Sequence, residues 1–118
     1  MRILAIDTAT SSCSVALWSN GRIISSHSEK MFRGQAEVLV PTIRSVMEKA
    51  EISAHNLDLL ATTIGPGAFT GIRIGLATTR GIALVAGVPC IGLTTTEAIA
   101  HAITKTTWQQ GTLLVALD

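Results

Sequence analysis

The stretch GPGAFTGIRIG, Gly65–Gly75, decides the fold of this chain. An apolar run, 59–64, precedes it and a long run of apolar and small residues, 72–88, follows it, which predicts a strand, a tight turn and a helix. We expect Gly65 and Gly67 to adopt positive φ on either side of the proline, and the threonine to cap the helix. The residues of this predicted structural motif are Gly65, Pro66, Gly67, Thr70, Gly71 and Gly75.

A helix that begins directly after glycines exposes free backbone N–H groups, which can bind an anion. The spacing fits neither familiar phosphate-binding fingerprint. No Lys-Ser/Thr pair follows the last glycine, and the glycines are not spaced as G-x-G-x-x-G. We therefore interpret the stretch as a turn that redirects the chain, with phosphate binding as the less favoured alternative.

The composition indicates one domain, or one lobe of a larger protein. The 118 residues are 47% hydrophobic and 14% charged, so we expect a large core and a surface that is partly covered by another molecule. A net charge of +1 gives no electrostatic signature of nucleic-acid binding. An aromatic content of 3% is too low for a base-stacking surface.

The sequence predicts no metal site, no cofactor and no catalytic residue. The three histidines are scattered without ligand spacing, and no nucleophile, base and oxyanion site assemble. Cys13 and Cys90 are interpreted as small buried thiols of a reducing compartment. No signal peptide is visible, and the longest uncharged stretch, 81–96, is too short to span a bilayer. We expect a cytoplasmic protein without a membrane segment.

The chain outside the glycine stretch predicts further strands and helices. The Asn20-Gly21 pair is the strongest short hairpin signal. Apolar residues at helical spacing predict a first helix, with a kink or a start near Leu39 because Pro41 lies inside the pattern. The predicted strands are 2–7, 13–18, 22–28, 59–64 and 90–93.

The order of these elements predicts an α/β fold. Thr94 and Glu97 form a capping box for a third helix from Thr95 to about Thr104. The first three strands form an antiparallel meander, with the first buried on both faces. Right-handed crossovers place the fourth and fifth strands parallel to the first. We expect a five-stranded mixed sheet of order 3-2-1-4-5 with helices on its faces.

The last six residues repeat the sequence pattern of the first predicted strand. The run LLVALD, 113–118, has the form of RILAID, 2–7: an apolar strand followed by aspartate. We interpret 1–111 as an N-terminal lobe and 112–118 as the first strand of a duplicated second lobe.

The loop after the first strand is a weak phosphate-loop candidate. An aspartate at the end of a first strand, before a Thr/Ser-rich turn and a hairpin, resembles the first phosphate loop of actin-like ATPases. Those loops usually have glycine two residues after the aspartate, where this chain has Ala9. We therefore favour an aspartate held by the turn itself. The candidate phosphate-loop residues are Asp7, Thr8 and Thr10.

These motifs together resemble the bacterial TsaB (YeaZ) family. The runs ILAIDTAT (3–10), CSVAL (13–17) and GPGAFTGIRIG, with the terminal aspartate, are similar to the family's motifs along the whole chain. Ala68 is a mild departure, and Gln35 stands where many members carry histidine. The resemblance implies an actin-like or RNase H-like lobe.

The resemblance also implies a non-catalytic scaffold subunit of the machinery that forms threonylcarbamoyladenosine on tRNA. Its implied partners are the catalytic paralogue TsaD, met through helices of the N-terminal lobe, and the ATPase TsaE, with tRNA reached only through the complex. Two alternatives remain: a nucleotide-binding phosphotransferase of the actin-like superfamily and, with less support, a glycoprotease-type metallopeptidase.

The second helix has two apolar faces, whereas covering a sheet requires only one. Ala77 and Gly81 leave a shallow groove in one of them, which another helix can approach closely. We expect this face and the exposed side of the first helix to bind the paralogue, or a second copy when the chain is alone. The predicted interface residues are Leu39, Ile43, Val46, Met47, Ile74, Ala77, Gly81, Leu84 and Val85.

Overall fold

The computed structural model describes residues 1–102 and residue 115. The predicted second-lobe strand, apart from residue 115, and the predicted end of the third helix lie outside the described residues. The five strands are β1 (Arg2–Asp7), β2 (Ser12–Ser19), β3 (Arg22–Lys30), β4 (Leu59–Thr63) and β5 (Cys90–Leu93). The helices are α1 (Gln35–Lys49), α2 (Phe69–Ala86) and α3 (Thr95–His101), with a 3-10 turn at Ala54–Asn56.

The sheet has the order β3-β2-β1-β4-β5, as predicted. β1 pairs antiparallel with β2 and parallel with β4, and β5 continues the parallel half. In the register, Ala5 lies beside Ala16 on one side and Ala61 on the other. The predicted α/β architecture is therefore confirmed.

Two local signals act as the sequence predicts. Asn20 and Gly21 both have positive φ, 50° and 86°, which suits the tight turn between β2 and β3. At α3, the Thr94 hydroxyl accepts a hydrogen bond from the Glu97 N–H, and the Glu97 carboxylate accepts one from the Thr94 N–H, each at 3.1 Å. This capping box fixes where α3 begins.

Of the two outcomes predicted for Pro41, a helix that starts near Leu39 is wrong. The helix begins at Gln35, directly after Gly34, whose φ of 88° lets the chain turn into it, and it continues through Pro41. The apolar stripe of α1 packs on the sheet both before and after the proline. We attribute the continuous helix to this packing, which offsets the one backbone hydrogen bond that proline cannot donate.

The core lies between one face of the sheet and the helices α1 and α2. The sheet contributes Leu4, Ile6, Val15, Leu17 and Leu60 among others. The four α1 residues predicted to form an interface belong to this core instead, so that prediction is wrong. An amphipathic helix has a single apolar stripe, and here the chain's own sheet covers it. These residues are at most 8% exposed: Leu39, Ile43, Val46 and Met47.

The opposite face of the sheet carries small side chains. A cavity of about 290 Å³ opens on this face, and α3 reaches it with Ala98. From Ile3 onward β1 consequently alternates between half-buried and buried residues, in contrast to the prediction that it is buried on both faces. The sheet side chains that line the cavity include Ala5, Ser14, Ala16, Ala61 and Thr63.

The edge strand β5 corrects the interpretation of one cysteine. Cys13 is fully buried, whereas Cys90 is exposed together with the rest of β5. A strand at the edge of a sheet has no neighbour on one side, so its side chains are less covered. In the described part of the chain, no helix is both long enough and apolar enough to cross a bilayer.

Candidate functional site: the glycine motif and the exposed face of α2

Three glycines of the motif let α2 lie directly on the β1–β2 loop. Gly67, Gly71 and Gly75 are spaced four residues apart. A Cβ atom added at Gly67 would collide with the carbonyl oxygen of Ala9, and one at Gly71 with that of Thr8. At Gly75 the added atom would lie 2.5 Å from the Thr8 hydroxyl oxygen. The glycines are therefore required for a close approach of the helix to this loop.

Two hydrogen bonds hold the loop on the helix. The Thr8 hydroxyl, which is buried, donates to the Gly71 carbonyl oxygen at 2.6 Å. The Ala68 N–H, immediately before α2, donates to the Ala9 carbonyl oxygen at 2.7 Å. The Ala9 carbonyl oxygen thus occupies the N–H at the cap position of α2, one of the groups that a bound anion would otherwise use.

The structure corrects two details of the predicted motif. Positive φ occurs at Gly65, 113°, and Gly67 does not have it. Thr70 is not the cap either, because α2 begins at Phe69, with Ala68 at the cap position and no capping side chain. The peptide bond between Gly65 and Pro66 is cis. Sequence alone suggested backbone conformation as the reason for Gly67, but the physical reason is contact with Ala9.

Asp7 is held by the turn and by the neighbouring parallel strand. Its Oδ1 atom accepts hydrogen bonds from the Ala9 N–H at 3.0 Å and from the Thr63 hydroxyl at 2.8 Å. A phosphate loop needs such N–H groups free to point at the ligand. Of the candidate phosphate-loop residues, Asp7 and Thr8 are engaged in these contacts, while Thr10 lines a neighbouring cavity. No motif in the sequence indicates that Thr63 contacts Asp7.

The described residues bring no metal-binding set together. No group of three histidine, cysteine, aspartate or glutamate side chains lies close enough to hold an ion among residues 1–102. His27 and Glu29 approach one another to 3.9 Å on the exposed strand β3.

The outward side of α2 is apolar and uncovered within the described structure. We call the residues Ala77, Gly81, Leu84 and Val85 the α2 face; all four are exposed, Leu84 at 84% and Val85 at 77%. A Cβ atom added at Gly81 would find nothing within 4 Å. Ile74, the other predicted interface residue of α2, is half-buried and packs against the core, so it borders the α2 face.

Cations border the α2 face. Arg73 and Arg80 are exposed, and the Arg73 guanidinium lies 5.0 Å from the centroid of the Phe69 ring. The sequence of α2 contains no aspartate or glutamate. The helix therefore presents an apolar groove with positive charge on its rim.

Comparison with known proteins places this geometry in a class. A family model described as "TsaD: tRNA N6-adenosine threonylcarbamoyltransferase" matches residues 25–118. Among solved structures, YeaZ from Pseudomonas aeruginosa superposes with a TM-score of 0.82 at 34% identity, covering 92% of this chain and 49% of that chain. The fold is thus an actin-like or RNase H-like lobe of the kind found in these proteins.

Curated relatives narrow the class. The protein named tRNA threonylcarbamoyladenosine biosynthesis protein TsaB from Escherichia coli (strain K12) is 42% identical over 101 residues, which cover 86% of this chain and 43% of that protein. The TsaB protein of Buchnera aphidicola subsp. Schizaphis graminum is 33% identical over 98% of this chain and 54% of its own length. This chain belongs to the TsaB (YeaZ) family. It spans about half the length of the curated relatives it matches.

Proposed function

We propose that this chain is a non-catalytic scaffold lobe that works in the formation of threonylcarbamoyladenosine on tRNA. The α2 face is the observation that carries the proposal, because it is an apolar helix surface that the described lobe leaves uncovered. The names of the relatives assign those proteins to this biosynthesis. The partner we propose is a TsaD-like paralogue, with a TsaE-like ATPase joining and tRNA contacted only through the complex.

The shape of the α2 face supports a helix as its partner. Ala77 and Gly81 lie one helical turn apart and present almost no side chain, so a second helix can approach the backbone of α2 closely. Leu84 and Val85 supply large apolar side chains at one end of the same groove. An interface centred here would bury on the order of 1,600 Å² in total.

The charges on the rim favour a different chain over a second copy. A partner surface that carries acidic side chains would pair with Arg73 and Arg80. Two copies meeting through the same face would instead bring four arginines to the contact. We therefore propose that the isolated chain forms a homodimer through the α2 face more weakly than it binds the paralogue.

The hydrogen bonds between the β1–β2 loop and α2 support a role without catalysis. The Ala9 N–H and the Thr8 hydroxyl, which a phosphate could use, are engaged by Asp7 and Gly71. The loop that binds phosphate in actin-like ATPases here packs against α2 and links it to β1. The phosphotransferase and metallopeptidase alternatives have no comparable observation in their favour.

Co-purification with a TsaD-like protein tests the proposal. Ala77→Glu places a charge in the groove and should abolish capture, while circular dichroism shows an unchanged fold. Ile23→Glu is the matched control, because it introduces the same charge at an exposed apolar residue of β3. It should leave capture intact. Capture that survives Ala77→Glu at full strength, or that Ile23→Glu removes, would contradict an interface on the α2 face.

A further inference from the structure

A groove lies where the helices α1 and α2 begin, and we call it the helix-start groove. It has a volume of about 420 Å³ and is lined by residues 32–37, 68–71 and 74. Phe32 and Phe69, the two phenylalanines of the chain, both line it. Their side chains are 91% and 72% exposed, although phenylalanine is among the residues most often buried. Two large apolar surfaces therefore stand uncovered beside one groove in the described structure.

Both rings are held in place by their neighbours. The Met31 N–H donates to the Ser11 carbonyl oxygen at 3.1 Å, and the Met31 side chain packs against the core, which anchors the segment that carries Phe32. Phe69 is the first residue of α2. The Arg73 guanidinium, about one turn further along the helix, lies 5.0 Å from the centroid of its ring. One ring thus stands just before the start of α1 and the other at the start of α2.

The charged side chains of the helix-start groove are mostly cationic. Arg33 lines the groove and is exposed, and Arg73 stands on its rim through the contact with Phe69. Within residues 1–102, neither arginine forms an ion pair. Glu37 is the acidic residue of the lining. A Cβ atom added at Gly34 would lie 3.1 Å from a Glu37 carboxylate oxygen, so this carboxylate lies over the start of its own helix, where a negative charge is favourable.

We propose that the helix-start groove docks an acidic segment of a partner protein. Apolar side chains of that segment pack against Phe32 and Phe69, and its carboxylates pair with Arg33 and Arg73. Aromatic residues and arginine are both enriched at protein–protein interfaces. A neutral or basic partner would cover the two cations without supplying opposite charges, which is unfavourable. The inference goes beyond the proposed function and does not rest on it, because Arg33 and both rings lie outside the α2 face.

A nucleic-acid strand fits the helix-start groove less well than an acidic protein segment. Aromatic rings and arginines also bind single-stranded nucleic acid, but such sites follow the phosphates along a positively charged groove. Here two arginines stand beside an acidic side chain, and the net charge of the whole chain is only +1. The observations therefore favour carboxylates that are presented together with apolar side chains.

The test begins with selection from a library of short random peptides displayed on phage, with the chain as bait. The enriched peptides should each carry two or more carboxylates and at least one large apolar side chain. Fluorescence anisotropy of the best peptide, labelled with a dye, then measures its affinity. Raising the salt concentration from about 0.05 M to about 0.3 M should weaken binding at least about threefold, because charge pairs at an exposed groove are screened.

Paired variants identify the contacts of this peptide. Phe32→Ser should weaken binding at least about fivefold through the loss of an aromatic anchor. Its matched control is Ile23→Ser, which removes an exposed apolar side chain of β3 and should leave the affinity unchanged. Arg33→Glu should also weaken binding at least about fivefold, because attraction becomes repulsion. Its control is Arg44→Glu, the same change at an exposed arginine of α1 outside the groove, with an expected effect below about twofold.

Two further variants separate the possible sites. Phe69→Ser repeats the test on the second ring and should weaken binding as Phe32→Ser does. Leu84→Glu places a charge on the α2 face, about 16 Å along the helix from Arg73, and should leave peptide affinity unchanged. This expectation holds whether or not the α2 face binds the paralogue. Circular dichroism verifies that each variant is folded.

Several outcomes would overturn the proposal. They are the absence of any enriched peptide, enrichment of neutral or basic peptides, and an affinity that either Phe32→Ser or Arg33→Glu leaves unchanged. Loss of binding in Leu84→Glu would place the peptide on the α2 face instead. Oligouridylate of the same net charge is the nucleic-acid probe. If it binds more tightly than the best peptide and the same two variants weaken it, the helix-start groove is a nucleic-acid site.

Discussion

The hydroxyl of Thr8 donates a hydrogen bond of 2.6 Å to the carbonyl oxygen of Gly71, 63 positions further along the chain. It joins the loop after β1 to the first turns of α2 in a place where both partners are buried. Gly67, Gly71 and Gly75 make the contact sterically possible, since a side chain at any of them would push the loop away. The most specific motif of the sequence is therefore a joint between two distant segments.

The Thr8–Gly71 hydrogen bond should make a measurable contribution to stability. Thr8→Val keeps the shape of the side chain but removes this donor, while the Gly71 carbonyl keeps its place in the helix, so the free energy of unfolding should fall by about 0.5–1.5 kcal/mol in urea titration. Thr42→Val is the matched control, because the Thr42 hydroxyl donates to the Val38 carbonyl within its own helix. Such a local hydrogen bond contributes little to the free energy of unfolding. An equal decrease in the two variants would therefore contradict a special contribution of the Thr8–Gly71 hydrogen bond.

Alanine at two glycines of the same region should have opposite effects. Gly67→Ala should lower the free energy of unfolding because its Cβ meets the Ala9 carbonyl oxygen. In Gly81→Ala the added Cβ has no atom within 4 Å. This variant should raise the free energy of unfolding by up to about 1 kcal/mol, because alanine favours a helix interior more than glycine does. Thermal and urea unfolding provide the measurement. A Gly67→Ala variant as stable as the unmodified chain would show that the loop yields without cost.

The chain should not bind Mg-ATP with micromolar affinity, and Ala9→Gly should not create such binding. Restoring the glycine of an ATPase loop removes a methyl group only, while the Ala9 N–H would still donate to Asp7 and the carbonyl oxygen would still accept from Ala68. Isothermal titration calorimetry measures both proteins. Tight binding by the Ala9→Gly variant would mean that the methyl group alone closes the loop.

The two cysteines should differ in reactivity. Burial, and to a smaller extent the Glu29 carboxylate on the facing strand, raise the pKa of the Cys13 thiol, so it stays protonated and covered in the folded chain. Cys90 is exposed. A thiol-specific chromogenic reagent should therefore modify one cysteine rapidly in native buffer and the second only after denaturant is added. Cys90→Ser should abolish the rapid phase, and a rapid phase that persists would show that Cys13 is accessible.

The raised pKa of Cys13 also fixes the sign of a pH effect. Above the ordinary pKa of a thiol, the unfolded chain releases the proton while the folded chain retains it, so the folded state binds more protons. The free energy of unfolding must then fall as pH rises through this range. In a Cys90→Ser background, adding Cys13→Ala should reduce that fall in urea titrations at alkaline pH. An identical pH dependence of the two proteins would contradict the assigned pKa shift.

The features that could be predicted well from the sequence depend on residues close together in the chain or on general rules of chain geometry. Asn20-Gly21 requires a tight turn by backbone conformation alone, and the Thr94–Glu97 capping box spans a single helical turn. The sheet order followed from element sequence and crossover handedness. Each of these depends on residues that are close in the chain or on a general rule of chain geometry.

The features that sequence missed depend on which distant residues meet. Gly67 was expected to need positive φ, but its neighbour Ala9 explains it, and only the folded chain brings the two together. The apolar stripe of α1 was expected to be partly free, but one stripe suffices to cover one sheet face, and the sheet takes it. Thr63 carried no spacing signal, because it meets Asp7 only when β1 and β4 pair in the folded sheet.

The hydrogen bond between Thr8 and Gly71 also constrains the order in which the chain can fold during its synthesis. Ribosomes add roughly 5–20 residues per second, so the β1–β2 loop exists for about 3–13 s before the residue that accepts its hydrogen bond is synthesised. During that interval α1 is synthesised, but α2, the helix that contacts the loop, is still incomplete. Contacts between residues so far apart slow folding, because the intervening chain must first lose its freedom. The nascent N-terminal hairpin is therefore the segment that most needs protection from other chains until α2 has emerged.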